Sequence, residues 1–558
     1  MAETFTPAER AALAPYFTNL DGPVFALTNL PEVVKGALFA RYSRSSKSLR
    51  RLFLDEFVHV GGGEAPPPTP PRLARGATPS PSPFEDTGEA PSATLPSLKT
   101  ARAEQLYERV FVEYGDDSVA QLGGVHLACE GASNLLTKVL EWGRLMAYLE
   151  QSTRYVPYDD RPDGRFRYHV PAELDGALRE RYVATLDRAF ETYRAWLPRL
   201  RDFYAARFPR AAGDSESVYR STIRAKALDT LRGLLPAATT SNVGIYGSGQ
   251  AWEHLLLRMR AHPLAEVRTC ADRMLVELRK VIPAFLRRVD APDRGGAWSA
   301  YLAATREATC AEADRVLAGV RPEPRDEVTL TDFDPEGEVK VVAAALYAVS
   351  DLPDDQLLAV VRRMSHAERV ATLAAYVGKR GNRRHKPGRA FERTTYRFDI
   401  LTDYGAFRDL QRHRLLTVEW QRLTPRHGFT VPEAVEEVGA GDDWRRVMED
   451  SAALHDAIEA AGLPEVASYA VAMAYRVRFY LEMNAREAMH VIELRTAPQG
   501  HPAYRRVCQA MHRLIAERAG HRAIAAAMTF ADHSEVALER LEAERAAERR
   551  RNRPPATR

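Results

Sequence analysis

Three stretches of the chain place cations, hydroxyls and an imidazole at spacings suited to holding an anion. The first is Arg412-His413-Arg414, within Phe407-Arg408-Asp409-Leu410-Gln411-Arg412-His413-Arg414. Guanidiniums fork onto phosphate or carboxylate oxygens, and an imidazole can exchange a proton near neutral pH. Two residues apart on a regular helix, Arg412 and Arg414 point to nearly opposite sides, so either they serve two ligands across an interface or the helix ends here. The second stretch is Glu150-Gln151-Ser152-Thr153-Arg154-Tyr155-Val156-Pro157. Pro157 stops a helix, and Ser152 with Arg154 at such a junction suits a phosphate. The third is Ser43-Arg44-Ser45-Ser46-Lys47-Ser48-Leu49-Arg50, which reads equally as an anion site or a capped helix junction. Asn484 and Arg495 lie eleven residues apart with His490 between them. On an unbroken helix they would share a face roughly 16 Å apart. Each stretch also has a purely structural reading as a solvated cationic face or a helix end.

Composition narrows the choice. The 558 residues carry 78 basic and 75 acidic side chains and are 45% hydrophobic. A balance of +3 argues against a nucleic-acid coat but leaves room for a local basic pocket. Cys129, Cys270, Cys310 and Cys508 form no Cys-x-x-Cys pair and no zinc spacing, so no metal site is expected and the thiols read as buried and inert. With no long apolar run and no signal-like start, the expectation is a cytoplasmic protein away from membranes.

The elements that must position these residues read as mostly helical. Residues 1–60 open a first unit with a helix initiated at Pro31. Residues 61–100 hold ten prolines and five glycines and read as a flexible insertion. Residues 101–300 complete the unit, with helical periodicity from Ala101 to Glu150. A long helix is expected from Glu173 to Phe208, kinked at Pro198, with the stripe Tyr182, Leu186, Phe190, Tyr193, Leu197, Leu200 and Tyr204 as core. Leu231-Arg232-Gly233-Leu234-Leu235-Pro236 breaks a helix. Residues 301–325 read as a junction and 326–537 as a second unit, with a continuous element over Ser468–Arg495. Residues 538–558 read as a solvated helix fraying into disorder.

The order of these parts resembles the flavin-dependent thymidylate synthases, twice over. That family carries Arg-His-Arg, seven residues, then Ser-x-Arg. The first half keeps Ser152-Thr153-Arg154-Tyr155 but has Trp142-Gly143-Arg144 at the leading position. The second keeps Arg412-His413-Arg414 but has Arg422 and Thr424 at the Ser and Arg positions, with Thr424-Pro425-Arg426 as a shifted alternative. The family's Arg-x-x-Leu-Pro segment is similar to Arg232–Pro236. Its Asn-x-Arg-x-x-x-His-x-x-x-x-Arg is similar to Asn484, Arg486, His490 and Arg495, with Arg258 as a weaker first-half counterpart of Arg495. Ser43 resembles an early flavin contact, and Gly115–Ser118 and His385–Glu392 resemble worn copies of a further motif.

The resemblance implies an α+β, helix-dominated fold of two tandem repeats, each with a small antiparallel sheet flanked by long helices. It implies one composite site between them, the reciprocal site having decayed. There Glu150, Ser152, Arg154, Arg232 and Arg495 would bind dUMP, Arg412 would be catalytic, and Ser43, Arg412, His413, Arg414, Asn484 and His490 would bind FAD. NADPH and methylenetetrahydrofolate would be co-substrates, and a homodimer would form a pseudo-tetramer. Two alternatives remain: the same fold acting on another pyrimidine nucleotide, and a non-catalytic helical scaffold.

Overall fold

The computed structural model describes residues 3–58, 121 and 123–552. Within them the chain folds into two four-stranded antiparallel sheets of the same topology, surrounded by helices. The first, ordered β1-β2-β4-β3, uses β1 (Val24–Leu27), β2 (Gly124–Ser133), β3 (Met146–Glu150) and β4 (Thr240–Ser248). The second, ordered β5-β6-β8-β7, uses β5 (Val328–Phe333), β6 (Thr395–Asp403), β7 (Thr417–Trp420) and β8 (Arg476–Asn484). This is the helix-dominated α+β tandem repeat that the sequence implies.

Each sheet turns its chain into a helix at equivalent places. After β2, Ser133 accepts from the Leu136 N–H and starts Asn134–Leu140; after β6, Asp403 accepts from the Ala406 N–H and starts Tyr404–Leu410. After β4 and β8, Ser248 and Asn484 cap Gly249–Arg260 and Ala485–Arg495 in the same way.

Several expected elements come out differently. The helical reading of 101–150 fails over its second half, where β2, a seven-residue helix and β3 follow one another. The apolar cluster Leu135–Leu140 gave the segment a helical period that belongs only to its middle. The Ser468–Arg495 element is also broken: β8 ends at Asn484, a helix cap, not a mid-helix residue. The junction contains the helix Ala297–Val316, none of whose residues is buried. Its tail counterpart Leu541–Arg551 is not a solvated end, because it docks on the helix Glu216–Leu231. There Arg545 pairs with Asp214 and Lys226 with Glu539. Cys129, Cys270 and Cys508 are buried as expected, but Cys310 is exposed. The insertion 61–100 and Gly115–Ser118 lie outside the described residues. Among the described residues no helix is long and apolar enough to cross a membrane.

The long helix Gly176–Arg207 carries Pro198 inside it and buries the expected stripe. Its core is continuous with that of the second repeat: Phe190, Leu197 and Leu234 belong to the same cluster as Phe398, Phe407 and Tyr475. The repeats also pair through their backbones about a pseudo-twofold axis. Ala237 N–H donates to Val471 O at 2.8 Å and Met473 N–H to Leu235 O at 2.9 Å, flanking a bridge between Pro236 and Ala472. Gly233 makes this approach possible, since a Cβ there would lie 2.7 Å from the Trp444 ring.

Candidate functional site

Glu150 is the last residue of β3, on the edge of the first sheet. Its carboxylate is buried and accepts from Lys138 at 3.2 Å within its own repeat. From the other repeat, Arg408 donates to it at 2.8 Å and Arg412 stands 3.7 Å away. The helix Tyr404–Leu410 ends at Leu410, so Arg412 and Arg414 part in the turn that follows. Arg412 folds back onto Asp409 and Arg414 donates to the Met146 carbonyl of the first repeat.

Asp409 is the second hub. It contacts Arg412, lies 3.5 Å from Arg232 of the first repeat and 3.8 Å from Arg495, which also donates to its backbone carbonyl. Gly405 gives Arg232 its passage over this helix, since a Cβ there would sit 3.0 Å from Arg232 Nε. Burial opposes ionisation of Asp409, yet Arg412, Arg495 and Arg232 hold its carboxyl far below the usual range.

Arg154 is buried and forks onto Asp229 at 2.6–2.9 Å. Burial again works against the pair, but Arg154 brings the Asp229 carboxyl down to about 2. Tyr504 joins this pair to the rest: its hydroxyl lies 3.3 Å from Arg154 Nη1, and Arg495 lies over its ring at 5.4 Å. Six cations (Lys138, Arg154, Arg232, Arg408, Arg412, Arg495) thus adjoin four carboxylates (Glu141, Glu150, Asp229, Asp409), a surplus of two charges. That surplus suits a phosphate dianion.

His413 lies at the edge of the cluster. Its Nε2 accepts from Arg495 at 2.9 Å, which leaves the proton on Nδ1, 3.7 Å from Glu487. Burial, then Arg495 and His490, push His413 well below its ordinary value. Burial raises the Glu487 carboxyl to about 7 and lowers His490 to about 4.

The remaining expected residues lie around this centre. Ser152 is half-buried, its Oγ accepting from the Arg154 N–H at 3.3 Å, and its own N–H donates to the Ser43 carbonyl at 3.0 Å. Ser43 Oγ is occupied by Ala40 O. Asn484 uses Oδ1 to cap its helix. His490 stacks edge-on against His413 at 5.6 Å. His385 is held in an exposed loop, its Nδ1 accepting from the Gly381 N–H. Arg422 and Arg426 pair with Glu459 and contribute nothing to the cluster.

The family model described as thymidylate synthase complementing protein matches the chain twice, at residues 74–284 and 329–519. The chain belongs to that family. A UPF0159 protein of Chlamydia muridarum is 37% identical over 97% of this chain and 98% of its own length. A UPF0159 protein of Thermoplasma acidophilum is 31% identical over 79% of this chain and 92% of its own. A flavin-dependent thymidylate synthase of Mycobacterium marinum is 32% identical over 35% of this chain and 72% of its own.

In this tandem member of the thymidylate synthase complementing family, the first match takes in β2, β3 and β4 of the first sheet and the second falls on the second sheet. Aligning the helix caps Ser248 and Asn484 sets Met259, not Arg258, opposite Arg495, so Arg258 is not its counterpart. Sequence reading also passed over Lys138, Arg408, Asp409, Asp229, Tyr504 and Glu487, which complete the arginine cluster. Asp409 and Arg408 stood within the stretch already singled out, and Asp409 three residues before Arg412 is an ion-pair spacing. Asp229 and Tyr504 left no signal, because their partners lie 75 and 350 residues away.

Proposed function

We propose that the chain is a flavin-dependent thymidylate synthase acting at a composite site between its repeats. One observation carries this reading: the phosphate-binding set expected in the first repeat and the Arg-His-Arg set of the second meet in one buried cationic cluster. Random drift in both halves would leave no reason for Arg408 and Arg412 to close on Glu150, or for Arg232 to close on Asp409.

On this reading Ser152, Arg154, Arg232 and Arg495 hold the phosphate of dUMP, with Asp229 and Asp409 orienting the guanidiniums. Glu150 fixes Arg412, whose charge favours the negative charge developing on the pyrimidine. Residues fit for a flavin lie beside the cluster. His413 and Arg414 line a 480 Å³ cleft with an apolar wall of Met146, Leu416 and Val418, and His490 stands edge-on against His413; Ser43 and Asn484 are the further candidates for the flavin. FAD, when bound, would supply the hydride that completes the methyl group, with NADPH as its reductant and methylenetetrahydrofolate as carbon donor. The chain's own part is to bind, orient and neutralise.

We take residues 1–60 with 101–300 as one repeat and 326–537 as the other, and place the protein in the cytoplasm as a homodimer of four repeats. A second reading is favoured by one feature, the commitment of Arg154 to Asp229 and of three arginines to Asp409: the same fold would then serve another pyrimidine nucleotide.

The test is the visible absorption spectrum of the purified protein before and after dUMP, followed by a methyl-transfer assay. A flavin band that shifts with dUMP is expected. A band indifferent to dUMP but responsive to another pyrimidine nucleotide selects the second reading. A colourless protein that cannot be reconstituted with FAD overturns both.

A further inference from the structure

The bridge between Pro236 and Ala472 sits on the pseudo-twofold axis, so positions of one repeat can be matched to positions of the other. Three residues before it stand Gly233 on one side and Tyr469 on the other. The caps Ser133 and Asp403 match, as do Glu266 and Ala503, the second residues of the helices Ala265–Arg279 and Pro502–Glu517. His169 and Thr430 match through the bridges Tyr168–Thr239 and Phe429–Tyr475. In one copy these positions fill the space. Tyr469 Oη donates to Glu266 at 2.6 Å, Ser133 Oγ donates to the same carboxylate at 2.6 Å, and His169 packs on the Tyr469 ring at 5.0 Å. In the other copy Gly233, Ala503 and Thr430 stand where the phenol, carboxylate and imidazole would be, and with Asp403 they line an 840 Å³ cavity.

Two buried donors on the wall of this cavity go unanswered. Arg232, 4% exposed, turns Nη1 to Asp409, while its Nη2 is buried without a hydrogen-bond partner. Trp444, 2% exposed, has a buried Nε1–H with no acceptor. Arg232 Nη2 and Asp403 Oδ1 lie 3.1 and 3.0 Å from the point where a Cβ on Gly405 would stand, yet no ion pair joins them within 4.0 Å. Asp403 uses Oδ1 to accept from the Ala406 N–H, and burial, opposed by Arg232, raises its carboxyl above the ordinary value. A guanidinium and a carboxylate held side by side without closing suit a ligand that offers oxygen to one and N–H to the other. The lining sets the charge of that ligand. Six carboxylates stand against four cations, and among the described residues Glu433 and Glu535 have no cationic partner within 4.0 Å. A phosphate is thereby disfavoured, which separates this cavity from a nucleotide site.

We propose that this cavity binds a phosphate-free ligand with a planar ring and, close together, an N–H donor for Asp403 and an acceptor oxygen for Arg232. The Trp444 N–H is a second donor to that oxygen, and the ring takes the space that Tyr469 fills in the other copy. Two sources offer this chemistry: an aromatic α-amino acid, and the lactam edge of a purine nucleoside. The inference does not rest on the reaction assigned to the Glu150–Asp409 cluster, which Arg232 faces with its other nitrogen.

The probes are L-tyrosine and guanosine, titrated calorimetrically into the full-length protein, with tyramine (no carboxylate) and adenosine (no lactam) as controls. L-Tyrosine bound in preference to tyramine assigns the amino-acid source, and guanosine in preference to adenosine assigns the lactam. Asp403→Asn keeps an oxygen for the Ala406 N–H but removes the charge, so the preferred probe should bind roughly ten- to a hundred-fold more weakly. Ala537 is exposed on the cavity wall. Ala537→Trp should therefore block binding without disturbing the core, and it decides the matter if Asp403→Asn does not fold. Parent protein that takes neither probe, or takes the controls equally well, overturns the proposal, as do folded variants that bind like the parent. Flavin content and dUMP titration are read separately. A protein that holds a probe through Asp403 yet takes neither flavin nor dUMP overturns the synthase reading and keeps this one. A dUMP-responsive flavoprotein that ignores both probes does the reverse.

Discussion

Arg408 of the second repeat donates to Glu150 of the first at 2.8 Å, and both side chains are almost wholly shielded from solvent. The pair joins the edge of one sheet to the helix that follows the other's second strand. Each partner is expensive to bury alone, so the contact ties the placement of the cluster to the docking of the repeats.

Glu150→Gln should therefore destabilise the whole chain, by about 3–5 kcal/mol for a buried pair broken on one side. Urea unfolding at neutral pH measures it. Burial opposes the charge, but Arg408, Lys138 and Arg412 hold the folded-state carboxyl well below its ordinary 4.5. A depressed carboxylate adds stability above its unfolded value and loses it as pH falls. The parent should lose stability progressively below about pH 4.5, and Glu150→Gln should lose less over the same range.

Arg154→Ala should weaken dUMP binding ten- to a hundred-fold, about 1.5–3 kcal/mol for a charge-assisted contact. The same change strands Asp229, so stability and affinity must be separated. Arg154→Ala with Asp229→Ala should regain stability relative to Arg154→Ala alone while dUMP binding stays weak. If dUMP binds either variant as tightly as the parent, the phosphate is held elsewhere.

Asp409→Asn removes one negative charge facing Arg232, Arg412 and Arg495. Phosphate-bearing ligands should then bind more tightly at low ionic strength and be more sensitive to added salt. Stability should fall by about 3–5 kcal/mol, since three guanidiniums lose their shared partner. Affinity for dUMP as a function of salt, compared between parent and variant, gives the answer.

Glu487 runs the opposite way to Glu150. Burial raises its carboxyl to about 7. Between about pH 4.5 and 7 the folded state holds a proton that the unfolded chain has released, so this group removes stability as pH rises through that window. Glu487→Gln should flatten the fall, on the order of 3 kcal/mol across it. Melting temperatures of the two proteins from pH 4 to 8 should diverge most at the upper end.

What the sequence determined by itself is local or repeated. The stripe from Tyr182 to Tyr204 specified its helix through a period of three and four residues. Pro157 and Pro236 marked the ends of the segments carrying Arg154 and Arg232. The division of motifs, Ser152 and Arg154 on one side and Arg412 to Arg414 on the other, was legible because each lies within a few residues of chain. The short strands β2 and β3 were not, since their pairing partner β4 lies some hundred residues on and the helix between them imposed its own period. Nor was the burial of the tail helix, whose charges look solvated until Asp214 and Lys226 are placed beside them. Tertiary structure alone decided which carboxylates face which arginines. The pairs of Asp229 with Arg154 and of Glu150 with Arg408 depend on distances of a few ångströms between residues 75 and 258 apart, and no spacing along the chain encodes those.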